Sequence, residues 1–114
     1  MIKNFLLSMT LLMFSCAVVA ADQEKGKRLV ELNNCASCHG ANLTTPIAPE
    51  YPKLAGQYSD YLFYAMLAYQ AKNKRLVGRK HPIMVDQMAK FSRTDLEDMA
   101  AYIASLPGEL VTKP

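Results

Sequence analysis

Two cysteines separated by two residues and followed at once by a histidine, Cys35-Ala36-Ser37-Cys38-His39, stand near the start of this chain. In an exported protein a C-x-x-C-H run is the attachment site of c-type haem. Each thiol adds to one vinyl group of the porphyrin, and the two intervening residues match the separation of those vinyls. The histidine is thereby delivered to the iron as an axial ligand. A chain holding such a group covalently has to fold around it.

Other uses of the pentapeptide fit less well. A structural zinc site needs four nitrogen or sulfur ligands, and beyond these three residues the chain offers only His81 and Cys16. A thioredoxin-type pair follows a strand in a βαβ pattern, which the sequence lacks. A disulfide across two residues would be strained and would leave His39 without a purpose.

Residues 1–21 read as a signal peptide. Lys3 gives a positive start, Phe5 to Phe14 is apolar, and Val18-Val19-Ala20-Ala21 ends the stretch with small residues. The apolar run is short for a membrane span and is followed by Asp22-Gln23-Glu24-Lys25. Ser15-Cys16-Ala17 raises lipid anchoring through Cys16, but bulky Met13-Phe14 precede it. The expectation is a periplasmic protein without stable membrane insertion, keeping only Cys35 and Cys38.

Residues 22–114 suffice for one small domain. Such a domain buries a modest core and usually needs a staple. A covalent haem would supply a large apolar plate, so the apo chain is expected to fold poorly. Of 13 Lys and Arg, Lys3 falls in the leader, and the rest nearly balance the 10 Asp and Glu. Lys72, Lys74, Arg75, Arg79 and Lys80 nevertheless cluster without an acid among them. They form either a solvated helix end or a docking patch for an acidic redox partner. Nucleic acid is not an expected partner, since export removes it and no aromatic stacking pattern accompanies the charge.

Three helices can be read. The first covers about Gln23 to Leu32, capped by Asp22, with Leu29, Val30 and Leu32 apolar. Gly26 lowers its propensity and points to a close helix contact. The second starts at Ser59 or Asp60 as cap and runs to about Ala71; it is apolar on nearly every side, and length rather than periodicity identifies it. The third starts at Ser92-Arg93-Thr94-Asp95, a capping-box pattern. It buries Leu96, Met99, Ala100 and Ile103 and stops at Pro107-Gly108. Asn42 to Leu54 and Val77 to Phe91 are expected as loops passing the two sides of the haem. The fold class is all-α.

A haem bound through His39 keeps one open face. Met66 and Met99 lie on apolar helical stretches, where methionine is usually core filler. His81 reads as a loop histidine. Met84 and Met88 lie where a chain wrapping the haem can present a thioether, which raises the potential of an electron carrier. Spacing alone does not separate these two.

The chain resembles a class I cytochrome c of the bacterial c553 and c4 type. The resemblance rests on Gly26-Lys27 ahead of Cys35 to Gly40, on Pro49 to Gln57, and on Tyr61-Leu62. Gly78-Arg79-Lys80 before Met84 and Ser92 through Leu106 complete it. It implies the cytochrome c fold around one haem, and it implies Met84 as second axial ligand, eight residues before Ser92. It also implies that the Pro49 carbonyl accepts the other ring N–H of His39. Gly26 and Tyr102 would sit where the first and last helices cross. The c4 proteins carry two such domains, whereas this chain has one C-x-x-C-H.

The function expected is one-electron transport between redox proteins of a respiratory or oxidative pathway, with no catalysis on a substrate. The alternatives are a haem c subunit of a periplasmic dehydrogenase and, further off, an open-site haem enzyme or gas sensor.

Overall fold

The computed structural model describes Ser15, residues 19–71 and residues 78–109. Five helices occur among them and no strand: α1 (Gln23–Leu32), α2 (Ala36–His39), α3 (Ser59–Gln70), α4 (Pro82–Met88) and α5 (Arg93–Ser105). The all-α expectation is met. No helix among the described residues is long and apolar enough to cross a membrane. Most of the leader read over 1–21, Cys16 included, lies outside the described residues, as do Lys72, Lys74, Arg75 and Val77.

α1 forms where its signals predict. The Asp22 carboxylate accepts the Lys25 N–H at 3.0 Å, and Glu24 adds negative charge to the first turn. Asn33 ends the helix, its amide donating to the Leu29 carbonyl at 2.8 Å. Asn34 then turns the chain with φ 55°. α5 starts from the expected capping box. Ser92 Oγ accepts the Asp95 N–H at 3.1 Å, while Asp95 Oδ2 accepts the Ser92 N–H at 3.0 Å. A cap of this kind stabilises its helix by about 1 kcal/mol.

α1 and α5 cross in backbone contact at Gly26. A Cβ there would overlap the carbonyl of Asp98 and crowd the Met99 nitrogen. Gly26 thus lies at the crossing as expected, and its missing side chain admits the α5 backbone there. Tyr102, one turn further on, lines a cleft of 230 Å³ with Val30, Leu43 and Leu106. Asp98 is 3% exposed. Its carboxylate accepts the Asp22 N–H at 2.7 Å and meets the Lys25 ammonium at 3.2 Å, and Lys25 also reaches Asp95 at 3.0 Å.

α3 spans nearly the expected range, but Tyr58 occupies its N-cap and makes no side-chain cap. Ser59 and Asp60 are its first two residues, so neither caps it. Leu62, Phe63 and Met66 are buried against Leu96, Met99 and Ile103 in one core cluster. Tyr61 and Tyr64 are 54% and 62% exposed. A tyrosine satisfies both water and packing, which is why apolar character surrounds this helix while one face stays wet.

The stretch expected as a loop from Val77 to Phe91 instead contains α4, with Pro82 in its first turn, a position where a missing N–H costs nothing. Residues 42–54 lack helix and strand as expected. They form a loop closed at its neck by the Leu43 carbonyl, which accepts the N–H groups of Leu54 at 2.8 Å and Ala55 at 3.1 Å.

Candidate haem site

Cys35 stands at the N-cap of α2, and the rest of the motif forms its single turn. Residues three apart on a helical turn share a face, so Cys35 and Cys38 can present their sulfurs to one side. The turn is held by the His39 N–H on the Cys35 carbonyl at 3.1 Å and by Ser37 Oγ on the Asn34 carbonyl at 2.8 Å. Gly40 ends it at φ 91°, and a Cβ there would strike the Thr45 carbonyl. Both cysteines are free, half-buried thiols. Burial pushes the Cys35 thiol up, partly offset by the nearby Lys90 ammonium. Lys90 follows α4, so the end of that helix lies near the motif.

His39 is 6% exposed. Its Nδ1 lies 2.9 Å from the Pro52 carbonyl oxygen, and the Tyr51 ring meets it edge-on at 6.4 Å. The expected partner was the Pro49 carbonyl, and this is corrected. Pro49 is exposed in the turn closed by the Tyr51 N–H on the Ala48 carbonyl at 3.1 Å, where proline pre-sets the turn dihedral. The chain reaches the imidazole three residues later.

Met84 lies on α4, half-buried and packed against the core cluster. Met88, one turn on, is 3% exposed within that cluster, as are Met66 at 8% and Met99 at 1%. His81 is exposed at the N-cap of α4. Burial thus distinguishes the two methionines that spacing left equal: Met88 fills the core, and Met84 stands at its margin.

The family profile described as cytochrome c matches residues 23–107. The chain belongs to the cytochrome c family. It is 37% identical over 108 residues to cytochrome c4 of Stutzerimonas stutzeri, covering 91% of this chain and 50% of that one. Cytochrome c-554(547) of Halothiobacillus neapolitanus is 33% identical over 93 residues, 76% of this chain and 99% of the relative. The crystal structure of reduced recombinant cytochrome c4 from Pseudomonas stutzeri superposes with a TM-score of 0.67 at 36% identity, covering 80% of this chain and 48% of that one. The chain spans about half the length of these cytochrome c4 relatives. As a class I c-type cytochrome with Cys35 and Cys38 in C-x-x-C-H spacing, it carries one covalently bound haem c.

The residues of this cytochrome c domain fit that group. Two free thiols share one helical turn, and the adjacent imidazole is bonded at Nδ1, which leaves Nε2 available to a metal. Among the described residues, no cluster of three or more His, Cys, Asp and Glu could chelate a bare ion. Half-buried apolar side chains, Leu54, Leu67, Tyr69 and Met84, border the core and offer a porphyrin plate apolar surface. Sequence reasoning missed Pro52, although it lies within the quoted Pro49 to Gln57 stretch. It also missed Asp98, whose one signal was a carboxylate amid the buried stripe of α5.

Proposed function

We propose that this chain is a periplasmic one-electron carrier whose haem is bound through Cys35 and Cys38 and ligated by His39 and Met84. The observation that carries the reading is the His39 to Pro52 hydrogen bond. A buried imidazole with Nδ1 on a carbonyl has a fixed tautomer and a fixed plane, with Nε2 free to bind iron. When bound, the haem supplies a one-electron change between ferrous and ferric iron.

The chain's own residues do the rest. Pro52 makes His39 a stronger donor and keeps it from turning when the charge on the metal changes. Met84, at the core margin, supplies a soft thioether that favours the reduced state. The buried cluster around Leu62, Met88 and Leu96, against which Met84 packs, excludes water. A filled second axial position leaves no room for substrate, which favours transport over catalysis. The leader read over residues 1–21 supports export. Redox proteins are the partners in this reading, with Arg79 and Lys80 exposed for docking. Arg79 is held there over the rings of Tyr61 at 6.0 Å and Tyr69 at 5.8 Å.

The second reading, a haem c subunit of a dehydrogenase, is favoured by exposed Tyr61 and Tyr64 on α3, which could face a permanent partner. Elution of the native protein alone on size exclusion would count against it.

The test of the main reading is an optical spectrum of periplasmically matured protein, oxidised and reduced. A c-type reduced spectrum with the weak far-red sulfur-to-iron band in the ferric form is the expected result. A c-type spectrum without that band removes Met84, and rapid carbon monoxide binding to the ferrous protein revives an open-site enzyme or sensor.

A further inference from the structure

α4 has few means of its own to stay in place. It has seven residues, its N-cap His81 makes no side-chain bond, and its last carbonyl, on Met88, has one backbone donor, the Phe91 N–H at 3.2 Å. α3 provides a second. Gln70, the last residue of α3, donates through Nε2 to the Met88 carbonyl at 2.7 Å and to the Phe91 carbonyl at 2.8 Å. Met88 ends α4, and Phe91 immediately precedes the N-cap of α5. One amide therefore ties the end of α3 to the end of α4 and the start of α5. A second tie lies ahead of α4, where the Arg79 N–H donates to the Ala68 carbonyl at 2.9 Å.

Both Nε2 hydrogens are used, and both acceptors are carbonyls. A leucine of similar size would fill the space but leave two half-buried carbonyls without this donor, and a glutamate would oppose them with negative oxygen. The geometry requires the amide at this position.

We propose that Gln70 is the positioning residue for Met84. By holding the Met88 and Phe91 carbonyls it fixes the axial placement of α4, and with it the reach of the Met84 thioether one turn away. The inference rests on Met84 being the second axial ligand.

The experiment uses haem-loaded, periplasmically matured protein and compares Gln70→Leu with the wild type. The readouts are the ferric sulfur-to-iron band and the affinity for cyanide. Expected is a weakened band and cyanide binding tighter by about tenfold, or about 1.4 kcal/mol. Lys25→Met, which loosens the α1–α5 crossing without touching α4, should leave both readouts unchanged. An unaltered band and unaltered cyanide affinity in Gln70→Leu overturn the positioning role while Met84 ligation stands. A wild type lacking the band removes the ligand assignment first and the inference with it. If Gln70→Leu does not mature, hydrogen exchange of the Gln70 side-chain amide in the wild-type holoprotein decides. Slow exchange of both protons agrees with the clamp, and exchange at the rate of an exposed glutamine overturns it.

Discussion

Asp98 and Lys25 meet at 3.2 Å across the crossing of α1 and α5, and the carboxylate is 3% exposed. The same carboxylate takes the Asp22 N–H at 2.7 Å, so one side chain of α5 gathers the N-terminal turn of α1. Replacing Asp98 with alanine should destabilise the holoprotein by about 2 kcal/mol, since it strands a backbone donor and removes a charge-assisted bond. Asp98→Asn, which keeps one acceptor, should cost less. Denaturant midpoints at constant slope measure both, and an Asp98→Ala midpoint equal to wild type would show that the crossing does not depend on this group.

Asp95 gives the crossing a pH dependence. The Ser92 N–H foremost, and the Lys25 ammonium after it, hold its carboxyl below the ordinary range. A carboxylate depressed by folding adds stability above its unfolded pKa of about 4, and that stability is lost as pH falls through the lower folded value. Stability of the wild type should therefore decline below about pH 4, and part of that decline should vanish in Asp95→Ala. Urea unfolding at pH 5 and pH 3 compares the two; identical slopes would exclude Asp95 as a contributor.

Met84 and Met88 should separate cleanly on replacement by alanine. Met84→Ala should lose the sulfur-to-iron band, lower the potential and admit cyanide, with a modest loss of stability because the side chain is half-buried. Met88→Ala should keep the band and lose about 2–5 kcal/mol, the range for emptying a packed core site. Spectra and thermal melts on the same samples discriminate, and a reversal of the two patterns would pass the ligand role to Met88.

Gly26→Ala should be among the most damaging single-methyl additions in the domain. The new Cβ meets the Asp98 carbonyl, a backbone group that cannot swing aside, so α1 and α5 must separate. Overpacking of this kind costs about 1–3 kcal/mol or more. A melting temperature unchanged from wild type would mean the crossing relaxes freely.

Most of the helical frame could be read in the sequence because its signals are local. Asp22 and the apolar residues after it define α1, and Ser92 with Asp95 defines the start of α5, each within a few residues. α4 escaped because seven residues starting at Pro82 show too little periodicity to separate helix from loop. The cap of α3 was misplaced by one or two residues, since Ser59 and Asp60 suit a first turn as well as a cap. In the site, the five-residue motif announced itself, whereas the carbonyl facing His39 did not. A carbonyl belongs to every residue, so choosing Pro52 over Pro49 required the path of the loop. Gln70 and Asp98 were silent for the same reason: their partners lie 18 to 76 residues away.

The Asp22 to Asp98 contact joins residues 76 apart, and closing a loop of that length costs about 4 kcal/mol in chain entropy alone. Everything from the C-x-x-C-H turn through α4 hangs inside this loop as though on a buckled strap. Partial opening at the buckle therefore gives little relief, because the gain in freedom comes only when the whole enclosed stretch lets go. The domain should behave as one cooperative unit, with the amides of α1 and α5 exchanging last and together.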